Sequence, residues 1–202
     1  MNYVITIGRQ LGSGGKQLGE QLSHRLAIPC YDKELIQLAS HKSGLDKEFF
    51  EKMDEKSRFS FFGSYFGFRS GYIVGGANNY LSNETLFSIQ SDVILQLAEK
   101  ESCVFVGRCA DYILRDHPRR FSIFISANLN DRIRRIVENQ QISEKKALDL
   151  IELTDKKRAD YYNFYSNKIW GMAGSYDLCV NSSVFSMEEI VELVLGFVRK
   201  IG

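Results

Sequence analysis

This 202-residue chain predicts an α/β fold with a parallel sheet between two layers of helices. Three observations carry that expectation. Short apolar runs alternate with longer segments of helical periodicity. The better-defined runs are almost continuously apolar, the pattern of strands covered on both faces. A glycine-rich stretch directly follows the first run and opens a helix. The runs are Tyr3 to Ile7, Ile28 to Tyr31, Cys103 to Val106, Phe121 to Ile125 and Leu178 to Val180, and they predict a five-stranded parallel sheet in a three-layer α/β/α arrangement.

Each intervening helix has its own signal. Leu18, Leu22, Arg25 and Leu26 recur at helical spacing after the first run, and Leu35, Ile36 and Ala39 after the second. Leu86, Ile89, Val93, Leu97 and Ala98 precede the third run, and Leu129, Ile133, Ile136 and Val137 follow the fourth. Ser186-Met187-Glu188-Glu189 reads as a capping box opening the last helix, whose buried stripe is Ile190, Leu193, Val194, Phe197 and Val198. Two segments interrupt the alternation. Residues 57–82 are rich in Gly, Ser and aromatics, which predicts an insert that acts as a mobile flap or a partner-contacting surface, with an oligomer as one consequence. Residues 143–175 predict a long helix followed by an aromatic, basic segment ending near Trp170. The length fits a single domain over 1–202 that carries both additions.

With 26 basic and 25 acidic residues the net charge is +1, which argues against a general nucleic-acid or polyanion binder. No apolar run approaches the roughly 18 residues of a membrane span. The opening Met1 to Ile7 lacks the basic segment of a signal peptide. Cys30, Cys103, Cys109 and Cys179 are widely spaced with no CxxC pair, so reduced thiols in a cytoplasmic protein are expected. His24, His41 and His117 form no metal-spaced cluster, and zinc is not expected.

Five of the sixteen glycines fall in Gly8-Arg9-Gln10-Leu11-Gly12-Ser13-Gly14-Gly15-Lys16-Gln17-Leu18-Gly19. A tight turn needs one or two. Several glycines allow successive amides to face phosphate oxygens, and the helix start adds its positive dipole end. The loop departs from the form G-x-x-x-x-G-K-[S/T]. With Gly14 as its last glycine, Arg9 occupies the first glycine position, Gly15 the lysine position, and Lys16 comes one residue late, followed by Gln17 instead of a hydroxyl. A dinucleotide loop fits no better, because Gly12-Ser13-Gly14-Gly15-Lys16 is followed by Gln17 rather than Gly or Ala.

The run Thr6-Ile7-Gly8-Arg9-Gln10-Leu11-Gly12-Ser13-Gly14-Gly15 resembles the opening of the cytidylate kinase-like family of P-loop proteins. Similar blocks follow in order: Val106-Gly107-Arg108-Cys109-Ala110-Asp111-Tyr112-Ile113-Leu114, Thr154-Asp155-Lys156-Lys157-Arg158-Ala159-Asp160-Tyr161-Tyr162, and Tyr176-Asp177-Leu178-Cys179-Val180-Asn181. The resemblance implies the P-loop NTPase type of fold, with the 143–175 region as a helical lid and the insert on the acceptor side. It implies a kinase with ATP as phosphoryl donor, Mg²⁺ as cofactor and a small-molecule acceptor, a nucleoside monophosphate such as CMP.

Phosphoryl transfer needs phosphates held in line and their charge neutralised. Gly12, Ser13, Gly14 and Gly15 are the loop candidates. Arg9 and Lys16 flank them, and either supplies the charge missing from the usual lysine position. Arg108 follows the third strand through Gly107, at the sheet end that lines a ligand crevice. The resemblance carries an acceptor-binding role to Arg108, but Cys109 replaces the aspartate that follows it in CMP kinases. Asp111 is then either a substitute acceptor contact or a first-turn acid. Arg132 and Arg135, three apart, share a helical face and are candidates for nucleotide phosphates or for a solvated basic face. The resemblance makes Arg158 the lid arginine, against an ordinary pairing with Asp155. Asp32 is an N-cap or, in a kinase of a small alcohol, a general base. Three functions follow: a nucleoside monophosphate kinase, an alcohol kinase using Asp32, or a nucleotide-binding sensor that turns over poorly.

Overall fold

The computed structural model describes residues 2–32 and 78–201, with the backbone alone at 78–83, 85 and 201. The helix expected around Leu35, Ile36 and Ala39, and residues 57–77 of the expected insert, lie outside the described residues. Residues 78–82 form the beginning of a helix that starts well before the periodic residues marking it in the sequence. By packing, the chain divides into two units, Met1–Lys33 with Ile94–Gly202, and Glu34–Val93. In the second unit the described residues are helical, and the Ser91 hydroxyl donates to the Phe87 carbonyl at 2.8 Å.

Among the described residues five strands alternate with helices: β1 (Val4–Arg9), α1 (Gly15–Leu26), β2 (Cys30–Tyr31), α2 (Asn78–Lys100), β3 (Cys103–Val106), α3 (Ala110–Ile113), β4 (Arg120–Ser126), α4 (Leu129–Gln140), α5 (Glu144–Ser166), β5 (Leu178–Asn181) and α6 (Met187–Ile201). The sheet is parallel in the order β2-β3-β1-β4-β5. β1 is central, so its carboxyl end, where the glycine loop begins, lies between the ends of β3 and β4.

Alternation along the strands divides the sheet into two faces. Ile5, Ile7, Val104, Val106, Ile123, Ile125 and Val180 form one buried cluster with Leu18 and Leu22 of α1 and Ile190, Val191 and Val194 of α6. The opposite face presents Thr6, Gly8, Phe105, Ser122 and Phe124. Here Phe124 packs on Tyr176 with ring centroids 5.0 Å apart and meets Trp170 edge-on at 5.2 Å. α6 begins as its sequence predicts. Ser186 N donates to Glu189 Oε2 at 2.8 Å and Glu189 N donates back to Ser186 Oγ at 3.3 Å.

α4 and α5 form a hairpin. Gln141 ends α4 in a left-handed conformation, and the Ser143 side chain accepts from Lys146 N to start α5. Ile136, Ala147 and Ile151 are buried between the two helices, with Leu11 of the glycine loop packed against them. The four cysteines are free thiols, with Cys103 and Cys109 buried. Burial pushes the Cys103 thiol up to about 12. No helix among the described residues is long and apolar enough to cross a membrane.

Candidate active site at the carboxyl end of the sheet

The glycine loop leaves β1 at Arg9 and enters α1 at Gly15. Gly14 caps the helix at φ 88° and offers no side chain, so the first-turn amides of α1 meet no capping oxygen from that position. Gly12 is also left-handed at φ 77°. A Cβ there would stand 3.0 Å from the Arg132 carbonyl oxygen, which makes this position doubly restrictive. Ser13 is fully buried, and its hydroxyl donates to the Gln10 carbonyl at 2.8 Å.

Side chains from distant elements hold the loop by its backbone. The Leu11 amide donates to Asp155 Oδ1 at 2.8 Å, and the Leu11 carbonyl accepts from Arg132 Nε at 2.7 Å. Arg132 and Asp155 also form a direct, nearly buried ion pair. Arg135 Nη1 donates to the Gly12 carbonyl at 3.1 Å and to Ser182 Oγ at 3.0 Å, while the Ser182 hydroxyl donates to the Ser13 carbonyl at 2.7 Å. Arg158 Nη1 donates to the Arg9 carbonyl at 3.0 Å and lies 4.0 Å from Asp155. The carbonyls of Arg9, Leu11, Gly12 and Ser13 therefore have partners outside the loop.

The two cations flanking the loop glycines differ. Lys16 points outward with 69% of its side chain exposed, 3.7 Å from Asp32 Oδ2 and 4.0 Å from Glu20 Oε1. Arg9 instead lies across the mouth of the sheet. Its Cβ is 2.5 Å from where a Cβ on Gly15 would stand, and its guanidinium fills the space that a Cβ on Gly107 would need. A side chain at either glycine would collide with it. The absence of a side chain at position 15 and the placement of Arg9 are thus one steric arrangement.

Gly107, Arg108 and Cys109, at the end of β3, are all left-handed, with φ of 81°, 60° and 53°. For the two non-glycines this conformation costs about 1–2 kcal/mol each. The turn is tied to the core through Gly107 N, which donates to the Ile7 carbonyl at 3.0 Å. Arg108 Cζ stands 5.6 Å from the centroid of the Tyr161 ring. Cys109 is buried, and burial raises its pKa. Asp111 is buried too and accepts from the Tyr162 hydroxyl at 2.7 Å. Burial raises the Asp111 pKa, and the Tyr162 hydrogen bond opposes that shift.

The sequence candidates thus gather at one end of the sheet, with different surroundings. Gly12 to Gly15, Arg9, Arg158, Arg132 and Arg135 meet at the loop. Arg108 and Asp111 sit on the adjoining turn, and exposed Lys16 in the first turn of α1 faces half-buried Asp32 after β2. Sequence reasoning missed Ser182, Tyr161 and Tyr162. Ser182 follows a strand without any motif of its own. The adjacent tyrosines stood inside a family-like block, but nothing in their spacing revealed what they touch.

Comparison with known proteins gives the family and the fold. The cytidylate kinase-like family matches residues 4–184, and the chain belongs to that family. No curated protein matches the sequence. The crystal structure of an uncharacterized protein from Eubacterium ventriosum is 28% identical, with a TM-score of 0.73 over 98% of this chain and 99% of that one. A shikimate kinase from Bacteroides thetaiotaomicron is 14% identical, with a TM-score of 0.52 over 98% of each chain, and shares the fold. The protein is a kinase of the P-loop type.

Proposed function

We propose that this kinase transfers the γ-phosphoryl group of ATP to a nucleoside monophosphate, with CMP the first candidate. The observation that carries the reading is the position of Arg9, whose stem covers Gly15 and whose guanidinium lies on Gly107. That places a permanent cation between the donor loop and the turn bearing Arg108. The loop amides from Gly12 to Gly15 bind the donor phosphates, on a backbone packed too closely against Arg132 and Met187 to admit side chains at 12 or 14. Arg9 takes over the charge normally supplied by the loop lysine, and its planar fork suits several phosphate oxygens at once. Arg158 adds a second guanidinium, whose Nε is buried without a hydrogen-bond partner among the described residues and is suited to an anion.

Arg132 and Arg135 act through the loop, holding its carbonyls so that its amides keep their direction. Arg108 holds the acceptor's phosphate in line with the donor. An acceptor phosphate is already ionised and needs no general base, so transfer rests on alignment and charge neutralisation. Mg²⁺ neutralises part of the triphosphate charge when bound. With Gly15 in the lysine position, the place of the ion-holding hydroxyl falls to Lys16, followed by Gln17, and the Ser13 hydroxyl is committed to Gln10. The ion is therefore carried chiefly by the phosphates and water.

One observation favours a second reading. Asp32 sits 3.7 Å from Lys16 at the edge of the site, where a carboxylate is suited to take a proton from an alcohol. An ADP-release assay with ATP·Mg²⁺ against a panel of nucleoside monophosphates and small alcohols, shikimate included, separates the readings. Release dependent on CMP or a related nucleotide, and suppressed in Arg108→Ala, is the expected result. Release dependent on an alcohol and suppressed in Asp32→Asn would transfer the assignment to the second reading. ATP binding without any acceptor-dependent release would make the protein a nucleotide sensor.

A further inference from the structure

We propose that Tyr161 and Tyr162 of α5 are positioning residues that set Arg108 for the anionic group of the acceptor, and that α5 thereby ties the acceptor turn to the phosphate loop. The proposal rests on the reading that Arg108 meets the acceptor. Its basis is the distribution of grips along one continuous helix. Asp155 and Arg158 hold the donor side, through the Leu11 amide and the Arg9 carbonyl. Three to four residues further on, Tyr161 lies under the Arg108 guanidinium and Tyr162 donates to Asp111. Asp155, Arg158 and Tyr162 are spaced three and four apart, so they share a helical face. Seven residues of helix separate the first grip from the last by about 10 Å. A rigid rod of that length fixes the distance between the two loops.

The two tyrosines act differently. A guanidinium over an aromatic face is attracted by the ring's quadrupole, which limits the rotamers of a long and otherwise mobile side chain. Tyr161 therefore holds the side chain of Arg108. Tyr162 holds the backbone beneath it, because Asp111 lies in the first turn of α3, directly after the left-handed residues 107–109. That turn is strained and persists only where its surroundings over-determine it. A buried carboxylate tied to the helix supplies one such constraint. Tyr162 also stacks on Tyr176 at 5.7 Å, which keeps its own ring fixed.

The test combines a readout that needs no substrate with one that does. In the full chain, NMR relaxation of the Arg108 Nε–Hε group is compared in wild type, Tyr161→Phe and Tyr161→Leu. A series of increasingly fluorinated phenylalanines at position 161 keeps the shape while weakening the ring's attraction, which guards against a leucine variant that fails to fold. Arg108 should lose part of its order in Tyr161→Phe, which keeps the ring but removes the hydroxyl's hydrogen bond to Arg108, and become mobile in Tyr161→Leu and along the fluorinated series. With the best nucleoside monophosphate of the panel, the acceptor KM should rise about tenfold in the same order while the ATP KM changes less than about twofold. Tyr162→Phe should raise the acceptor KM in the same selective way. An Arg108 equally ordered in every variant overturns the proposal. So does a mobile Arg108 with an unchanged acceptor KM, or equal rises in both KM values. If Arg108 becomes mobile but no nucleoside monophosphate is turned over by wild type, Tyr161 still positions Arg108 and it is the nucleotide acceptor that is refuted.

Discussion

On one face of the sheet, aliphatic side chains from four strands meet α1 and α6 in a cluster in which Ile5, Leu18, Leu22, Ile123, Val191 and Val194 are all fully buried. On the other, Gly8 and Phe124 meet Tyr176 and Trp170, and the aromatic layer continues through Tyr162 to the buried carboxylate of Asp111. The first face has almost no polar atoms to satisfy, so it is sensitive to volume and indifferent to direction. The second is full of groups that need partners. Ser122 donates from both its amide and its hydroxyl to Asp177 Oδ2 at 2.7 Å, and Thr6 Oγ1 is buried with no hydrogen-bond partner among the described residues. Damage to the aliphatic face should therefore appear as lost stability, and damage at the edge of the aromatic face as lost alignment of the two loops.

The largest expected effect lies at the end of the sheet that carries the loops. Arg9→Met keeps the stem over Gly15 and removes the charge over Gly107. It should lower kcat by about 10²–10³-fold with little change in thermal stability, as loss of one preorganised donor to transition-state charge does. Gly107→Ala should mimic it, because the new methyl group displaces the Arg9 guanidinium from a backbone already at φ 81°. Turnover within fivefold of wild type in Arg9→Met would remove the phosphate-binding assignment and with it the functional half of the contrast.

Next comes Leu22→Ala, in the aliphatic cluster. A fully buried leucine replaced by alanine should cost about 2–5 kcal/mol of unfolding free energy in urea titration. The kcat per folded molecule should stay within about twofold of wild type. A loss of activity as large as the Arg9→Met effect would show that the two faces are not separable.

Smaller still is Gly8→Ala, which adds a methyl group 2.9 Å from Phe124 Cδ2 and 3.0 Å from Tyr176 Cε1. Overpacking of this kind should cost about 1–3 kcal/mol. Because Trp170 stands edge-on to Phe124, its emission in the folded state should shift in Gly8→Ala and remain unchanged in Leu22→Ala. Identical spectra in both variants would contradict the aromatic layer.

The smallest effect is Tyr162→Phe, about 1 kcal/mol at neutral pH for one lost hydrogen bond. Its pH dependence is the sharper check. Burial raises the Asp111 pKa in the folded state, so the folded chain holds that proton more tightly than the unfolded chain. This contribution to stability is complete below the ordinary carboxylate pKa and is lost as pH rises through the folded value. The Tyr162 hydrogen bond restrains the rise, so its removal should extend the loss to higher pH. The difference between Tyr162→Phe and wild type should thus shrink towards acid pH and be fully present at neutral pH. A difference that does not vary with pH would show that the hydroxyl does not stabilise a carboxylate.

The strands could be read from the sequence because burial on both faces leaves short apolar runs wherever it occurs, and β3 keeps its expected limits at Cys103 and Val106. β2 could not be read as fully. Its run suggested four residues, yet only Cys30 and Tyr31 pair with β3, because Pro29 lacks the amide a ladder needs. The glycine loop and the capping box of α6 were equally visible, both being local backbone chemistry. The direction of the charges was not visible. Lys16 is nearer than Arg9 to the usual lysine position, but the space over Gly15 goes to Arg9, and only packing against Gly107 decides that.

By itself, the sequence determined the order of strands and helices, the phosphate-loop character of residues 8–19 and the set of basic residues available near it. Such features depend on neighbours a few residues apart, where periodicity and spacing carry information. The tertiary structure alone decided which of those residues face the loop and which hold it. Asp155 reaches the Leu11 amide across 144 residues, Arg135 the Gly12 carbonyl across 123, and Ser182 the Ser13 carbonyl across 169. No local pattern encodes contacts at such separations, because they arise only when a parallel sheet brings the carboxyl ends of its strands to one edge.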